Sequence, residues 1–181
     1  MAKSKDEIRA EKLFYRQNLD KKYYQKSNRI IRKKLLKVPA FQLAKTIGIY
    51  YSVNKEVDTL KIIKYLLKHK YNVVLPRIVG AALQFHQINN LQTDLSYNAK
   101  YKLYEPDNKL PIYAPQLIDV MIIPLLSYDL DHHRLGYGKG FYDRYLKDFR
   151  GTKIGLGYHF QFVEKLPCEP HDIPLDIIVT N

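Results

Sequence analysis

Six of the eight glycines in this 181-residue chain fall between positions 136 and 157, and three of them stand at alternate positions in Arg134-Leu135-Gly136-Tyr137-Gly138-Lys139-Gly140-Phe141-Tyr142-Asp143-Arg144. Glycines so spaced permit backbone angles that other residues avoid. They also let main-chain N–H groups approach an anion closely, and a helix N-terminus behind them adds its dipole. The spacing G-x-G-x-G is neither the dinucleotide fingerprint nor a Walker loop. By glycine spacing alone, a tight structural turn and a phosphate cradle are equally good readings. Arg134 and Lys139 beside the glycines, with Asp143 about one turn further on, favour a nucleotide with a metal ion.

A second chemistry-bearing pattern lies near the start. Lys5, Arg9, Lys12 and Arg16 recur at three- to four-residue steps and so share one helix face. Residues 1–38 hold thirteen lysines and arginines against four acids, which is nine of the twelve net positive charges of the chain. A basic segment followed by a nearly neutral body implies an anionic partner near that segment. Nucleic acid, a nucleotide triphosphate and a polycarboxylate all satisfy this. A solvated basic face is the alternative reading for the four residues.

The elements that must position these residues follow from periodicity. Residues 4–36 lack Gly and Pro and read as helix, broken near Asn18-Leu19-Asp20 with Asp20 as N-cap, and Pro39 ends the region. A buried strand at 46–51, an amphipathic helix at 56–70 and a strand at 71–75 stopped by Pro76 form a βαβ unit with a parallel pair. Further strands are expected at 82–88, 118–123, 153–156 and 176–180, with a helix at 141–149 and loops around short elements over 89–117. Strands separated by helices predict an α/β fold: a layered domain with a central, largely parallel sheet flanked by helices and an N-terminal helical segment. With no repeat or linker, 1–181 reads as one domain, the basic segment 1–38 packing on the α/β body.

Other classes drop out. Hydrophobic residues make up 46% and charged residues 27%, an ordinary globular balance. Apolar runs such as 120–126 fall far short of the ~20 residues of a membrane span. The N-terminus shows no apolar stretch of the secretory type, and the single cysteine, Cys168, forbids an internal disulfide and a multi-cysteine zinc site. A cytoplasmic location is expected. Cys168, between Pro167 and Pro170, is assigned no chemistry, and adjacent His132 and His133 cannot easily share one ion.

The segment 134–144 resembles the signature of the 5-formyltetrahydrofolate cyclo-ligase family, the methenyltetrahydrofolate synthetases. Three weaker motifs accompany it in family order. Lys5-x-x-x-Arg9 resembles that family's N-terminal ATP-contacting pair, Glu56-Val57-Asp58-Thr59 its folate-contacting segment, and His171-Asp172-Ile173-Pro174-Leu175-Asp176 its C-terminal acidic motif. The resemblance implies an ATP- and Mg²⁺-dependent ring closure of 5-formyltetrahydrofolate to 5,10-methenyltetrahydrofolate, releasing ADP and phosphate.

It also implies roles. Lys5, Arg9 and the run Arg134, Leu135, Gly136, Tyr137, Gly138, Lys139, Gly140, Phe141 and Tyr142 would bind ATP, with Arg134 and Lys139 catalytic. Tyr51, Glu56, Tyr137, Gly138, Lys139, Gly140 and Phe141 would contact the folate. Asp143 and Asp172 would hold Mg²⁺. Each has a plainer alternative: Asp143 as a salt bridge to Arg144 or Arg150, Asp172 as a turn before Pro174, Glu56 as a first-turn helix acid, Tyr51 as core. Lys12 and Arg16 are left in the solvated class. Partners would be small anions, ATP and a folate with its glutamate tail, with neither nucleic acid nor membrane. Two rival functions are a non-catalytic nucleic-acid binder using 1–38 and an ATP-dependent ligase of the same fold acting on another substrate.

Overall fold

The computed structural model describes residues 3–181. Helix α1 (Lys5–Gln17) opens on a reciprocal cap, in which Ser4 accepts the Glu7 N–H and Glu7 accepts that of Ser4. Asp20 caps α2 (Lys21–Leu35) by accepting the Tyr23 N–H at 3.0 Å. Pro39 then starts a short helix, α3 (Pro39–Leu43), as its first-turn residue, a position that needs no N–H. By sequence alone Pro39 marks only the end of the helical region.

The remaining elements are β1 (Thr46–Ile49), α4 (Leu60–Lys68), β2 (Asn72–Val79), β3 (Ala82–Ile88), β4 (Leu95–Asn98), β5 (Leu103–Pro106), β6 (Ile112–Tyr113), β7 (Val120–Pro124), β8 (Ser127–Tyr128), β9 (Arg134–Leu135), α5 (Phe141–Leu146), β10 (Thr152–Gly157) and β11 (Ile177–Thr180). Seven strands form one sheet in the order β11-β10-β7-β1-β2-β3-β6. The five from β11 to β2 run parallel, whereas β2–β3 and β3–β6 are antiparallel.

The central strands are apolar runs because helices cover both faces. Ile47, Ile49, Val120 and Ile122 face Ile31 and Leu35 of α2 and Ile62, Ile63 and Leu66 of α4. Val74, Met121 and Ile123 face Leu146 of α5 and Phe149 on the other side.

Strand β2 does not stop at Pro76. Asn72 donates its N–H toward β1, to Lys45 O, and alternation turns the nitrogen of Pro76 the same way. Pairing with β1 ends at Val74, so the missing donor falls on an open edge, while pairing with β3 continues to Val79. Helix α4 begins at Leu60 rather than at 56, and 56–59 belong to the loop after β1. Among the described residues no helix is long and apolar enough to cross a membrane.

Candidate active site

From β1 the chain moves to β2 on one side and later to β7, β10 and β11 on the other, which makes the carboxyl ends of β1 and β7 a topological switch point. A cavity of about 620 Å³ lies there. Tyr50 and Tyr51 follow β1, Pro124 ends β7, and Pro76 and Ile78 come from β2, all lining it. The turn 134–143, the start of α1, the segment 169–172 and Tyr101, Leu103 and Tyr104 form further walls.

The glycine turn has the backbone that its spacing requires. Gly138 and Gly140 sit at φ +86° and +62°. A Cβ on Gly138 would stand 3.1 Å from Cζ of Arg9, so the guanidinium lies against bare backbone. Arg9 Nε also donates to Gly136 O at 3.0 Å. Arg144 donates to Lys139 O at 2.8 Å and to Ala81 O at 2.7 Å, which ties the turn to the β2–β3 hairpin. Lys139 is left with its ammonium 4.8 Å from the Tyr101 ring centre.

Both aspartates line the cavity and each is anchored through one oxygen. Asp143 Oδ1 accepts Arg134 Nη2 at 2.8 Å and the Ile173 N–H at 3.3 Å, and Arg134 Nη1 donates to Ile173 O. The partner of Asp143 is thus Arg134, neither Arg144 nor Arg150. Asp172 Oδ2 accepts Lys5 Nζ at 2.7 Å and the Glu169 N–H at 2.9 Å. Burial alone would raise the Asp172 pKa, but Lys5 and that N–H outweigh it and hold the carboxyl below its ordinary range. Burial likewise opposes the Lys5 charge, and Asp172 outweighs it, so Lys5 titrates above its ordinary value.

Glu56 is 6% exposed, in a loop turned by positive φ at Asn54 and Lys55. Its Oε2 accepts the Val53 N–H at 2.9 Å and its Oε1 the Tyr137 hydroxyl at 2.8 Å. Burial pushes the carboxyl pKa up, while Arg16, 3.9 Å away, and these two donors pull it down, and the net shift is upward. Tyr51 is half-buried and packs its ring 5.5 Å from that of Tyr104.

The cavity therefore collects Lys5, Arg9, Tyr51, Glu56, the whole run Arg134 to Asp143, and Asp172, from four stretches spread along the chain. Lys12 and Arg16 are not solvated. Lys12 Nζ donates to Phe160 O at 3.0 Å, and Arg16, 1% exposed, donates to the Tyr137 hydroxyl. Most of the exposed cations of the basic segment are on α2, at Lys22, Lys26, Arg29 and Lys33 among others.

The sequence profile of the 5-formyltetrahydrofolate cyclo-ligase family matches residues 1–181. The chain belongs to that family. It is accordingly a ligase. It is 34% identical over 160 residues to the 5-formyltetrahydrofolate cyclo-ligase of Escherichia coli K12, covering 81% of this chain and 84% of that one. It is 32% identical to the Haemophilus influenzae enzyme of the same name, over 97% of each chain. The 5,10-methenyltetrahydrofolate synthetase structure from Aquifex aeolicus superposes with a TM-score of 0.86 at 31% identity, covering 97% of this chain and 88% of that one. That from Mycoplasma pneumoniae gives 0.80 at 26%, covering 98% and 99%.

Several lining residues carried no signal in the sequence. Tyr101, Leu103 and Tyr104 come from the polar stretch 89–117, where they form the turn and second strand of the β4–β5 hairpin. Glu169 faces Lys5 at 3.4 Å from just before the acidic motif. Arg16 did have a signal, its place on the Lys5–Arg9 face, but that spacing cannot say which end of the face is covered.

Proposed function

We propose that this cyclo-ligase binds ATP and 5-formyltetrahydrofolate side by side in the cavity and converts the folate to 5,10-methenyltetrahydrofolate, releasing ADP and phosphate. The observation that supports this best is the meeting of two chemically different halves in one space of about 620 Å³. One half is cations and glycine backbone; the other is Tyr51, Tyr104 and Glu56. The volume suits small-molecule ligands.

The chemistry explains the division. A formamide oxygen is a poor leaving group. Attack of that oxygen on the γ-phosphorus of ATP expels ADP and makes the oxygen part of a phosphate ester. N10 of the folate then attacks the formyl carbon, the carbon–oxygen bond breaks with loss of phosphate, and the N10 proton passes to solvent. Phosphoryl transfer is chiefly positioning and charge neutralisation.

In this reading Lys5 and Arg9 hold the outer phosphates from α1, and the N–H groups of 136–140 cradle them from below. Lys139, stacked on an aromatic ring rather than on a carboxylate, is free to swing onto the γ-phosphate as it moves. Arg134 adds charge at the same wall and fixes Asp143. Glu56 accepts the pterin N–H groups, and Tyr51 with Tyr104 flanks the flat ring. Tyr137, Gly138, Gly140, Phe141 and Tyr142 form the seam where the formyl oxygen meets the γ-phosphate.

Asp143 and Asp172 suit Mg²⁺, which typically takes one or two carboxylates and completes its shell with phosphates and water. Each anchors one oxygen and, among the described residues, makes no hydrogen bond through the other. Held there, the ion would supply positive charge to the triphosphate. The reading takes 1–181 as one working unit, since α1 supplies a wall of the site, and places it in the cytoplasm with small anions as its partners.

The experiment is an absorbance assay for methenyltetrahydrofolate in purified protein with MgATP and 5-formyltetrahydrofolate. Product should appear only with nucleotide and in equal amount to ADP. ATP turned over on a different acceptor, with no methenyl product, would leave the fold and remove the substrate.

A further inference from the structure

Away from the cavity, the β8–β9 hairpin loop and the segment after Phe162 bring Asp129, His133 and Cys168 together, with one ligand atom of each within 4.8 Å of the others. None of the three lines the cavity. Asp129 is 2% exposed and held rigidly. Its Oδ1 accepts the N–H groups of Asp131 at 3.1 Å and His133 at 2.9 Å, and its Oδ2 that of Leu166 at 3.0 Å. A carboxylate has about four acceptor positions, so Oδ2 keeps one.

His133 Nδ1 stands 3.3 Å from that oxygen. The nitrogen is cut off from solvent, yet among the described residues it makes no hydrogen bond, with Asp129 or any other group. Orphaned buried nitrogens are uncommon and ask for a reason. The distance supplies one. Two ligand atoms about 2.0–2.1 Å from a tetrahedral ion stand about 3.4 Å apart, so the pair is spaced as two corners of a metal shell. Cys168 can provide the third corner. It is exposed, its only bond among the described residues is a weak one to Leu166 O at 3.4 Å, and it is the single cysteine of the chain.

We propose that Asp129, His133 and Cys168 form a binding site for a zinc-class divalent cation, with the fourth position open to water. Carboxylate and thiolate together balance the ion's two charges, and the neutral imidazole completes a set of borderline-to-soft donors that magnesium does not favour. The thiol proton leaves to solvent as the sulfur–metal bond forms. Bound metal would pin the stretch carrying Glu169 and Asp172 to the hairpin that leads into Arg134.

The test is titration of the metal-stripped full chain with Co²⁺. One equivalent should produce a sulfur-to-cobalt charge-transfer band and the intense visible bands of a four-coordinate ion, both erased by one equivalent of Zn²⁺ and untouched by excess Mg²⁺. Cys168→Ser should abolish the charge-transfer band. His133→Asn should weaken affinity at least about tenfold, since even supporting groups around a metal are worth that much. Asp129 is left alone because three backbone N–H groups depend on it. On the wild type, equimolar Zn²⁺ should slow alkylation of Cys168. Absence of the charge-transfer band, unchanged affinity in a folded His133→Asn protein, or an unchanged alkylation rate would each overturn the proposal.

Discussion

The guanidinium of Arg9 rests on Gly138, where a side chain would come within 3.1 Å of it. The glycine is needed twice over, once for its φ of +86° and once for the space the arginine fills. Gly138→Ala therefore acts on α1 as well as on the turn. The strained backbone should lower stability by about 1–2 kcal/mol. Displacing Arg9 should raise the KM for ATP at least tenfold while the KM for folate moves much less. Parallel KM measurements with thermal unfolding check this, and equal changes in both constants would divorce Arg9 from the nucleotide.

Point variants test the same helix more cleanly than truncation. Ile8 is buried with Leu135 and Leu166, and Lys12 is tied to Phe160 O, so removing 1–12 would open the core. Lys5→Met and Arg9→Met keep the aliphatic stems. Each is expected to weaken ATP binding about tenfold or more and to leave folate binding intact, as read by equilibrium titration with each ligand alone.

Asp143→Asn keeps an acceptor for Ile173 but gives the nearly buried Arg134 a neutral partner. A stability loss of about 1–3 kcal/mol is expected. Turnover should fall roughly a hundredfold or more, because neutralising the triphosphate is most of what this wall does. If Asp143 serves Arg134 alone, the variant should turn over almost normally at saturating Mg²⁺, so rate against Mg²⁺ concentration decides.

Arg16 sets the titration of Glu56. Burial raises the Glu56 pKa above its ordinary 4.5, and Arg16 opposes the rise. The protonated acid is a weaker, uncharged acceptor for a pterin N–H, so kcat/KM for folate should fall as pH drops through that raised pKa. Arg16→Met removes the opposing charge and should move this acid limb upward. The kcat/KM for ATP should not shift with it. A pH–rate profile with an unmoved limb would confine Arg16 to packing.

The parts of the site legible in the sequence are those whose local backbone demands are written into residue type. Glycines at 138 and 140 announced left-handed backbone, and Asp20 announced a helix start. What escaped depends on partners far along the chain. Lys12 and Arg16 share a helical face with Lys5 and Arg9, but only the fold decides that Tyr137 and Phe160 cover one end of it. Asp143 was matched with arginines close behind it, whereas the turn folds back to give it Arg134. Pro76 looked like a strand end because the early end of β1 is not visible from one strand. Residues 101–104 gave no pattern because their rings are ordered by Tyr51 and Phe141, both more than 35 positions away.

The bond from Lys5 to Asp172 joins residues 167 positions apart. During synthesis the helix that carries Lys5 and Arg9 is made long before its anchor at Asp172. Until residue 172 is made, Lys5 of a nascent chain lacks the carboxylate that holds it at the cavity, whereas Arg9 already has Asp6 three residues away. If Lys5 holds phosphate as proposed, nucleotide capture waits for that stretch, and a chain stalled short of residue 169 would carry Lys5 without either of its acidic partners.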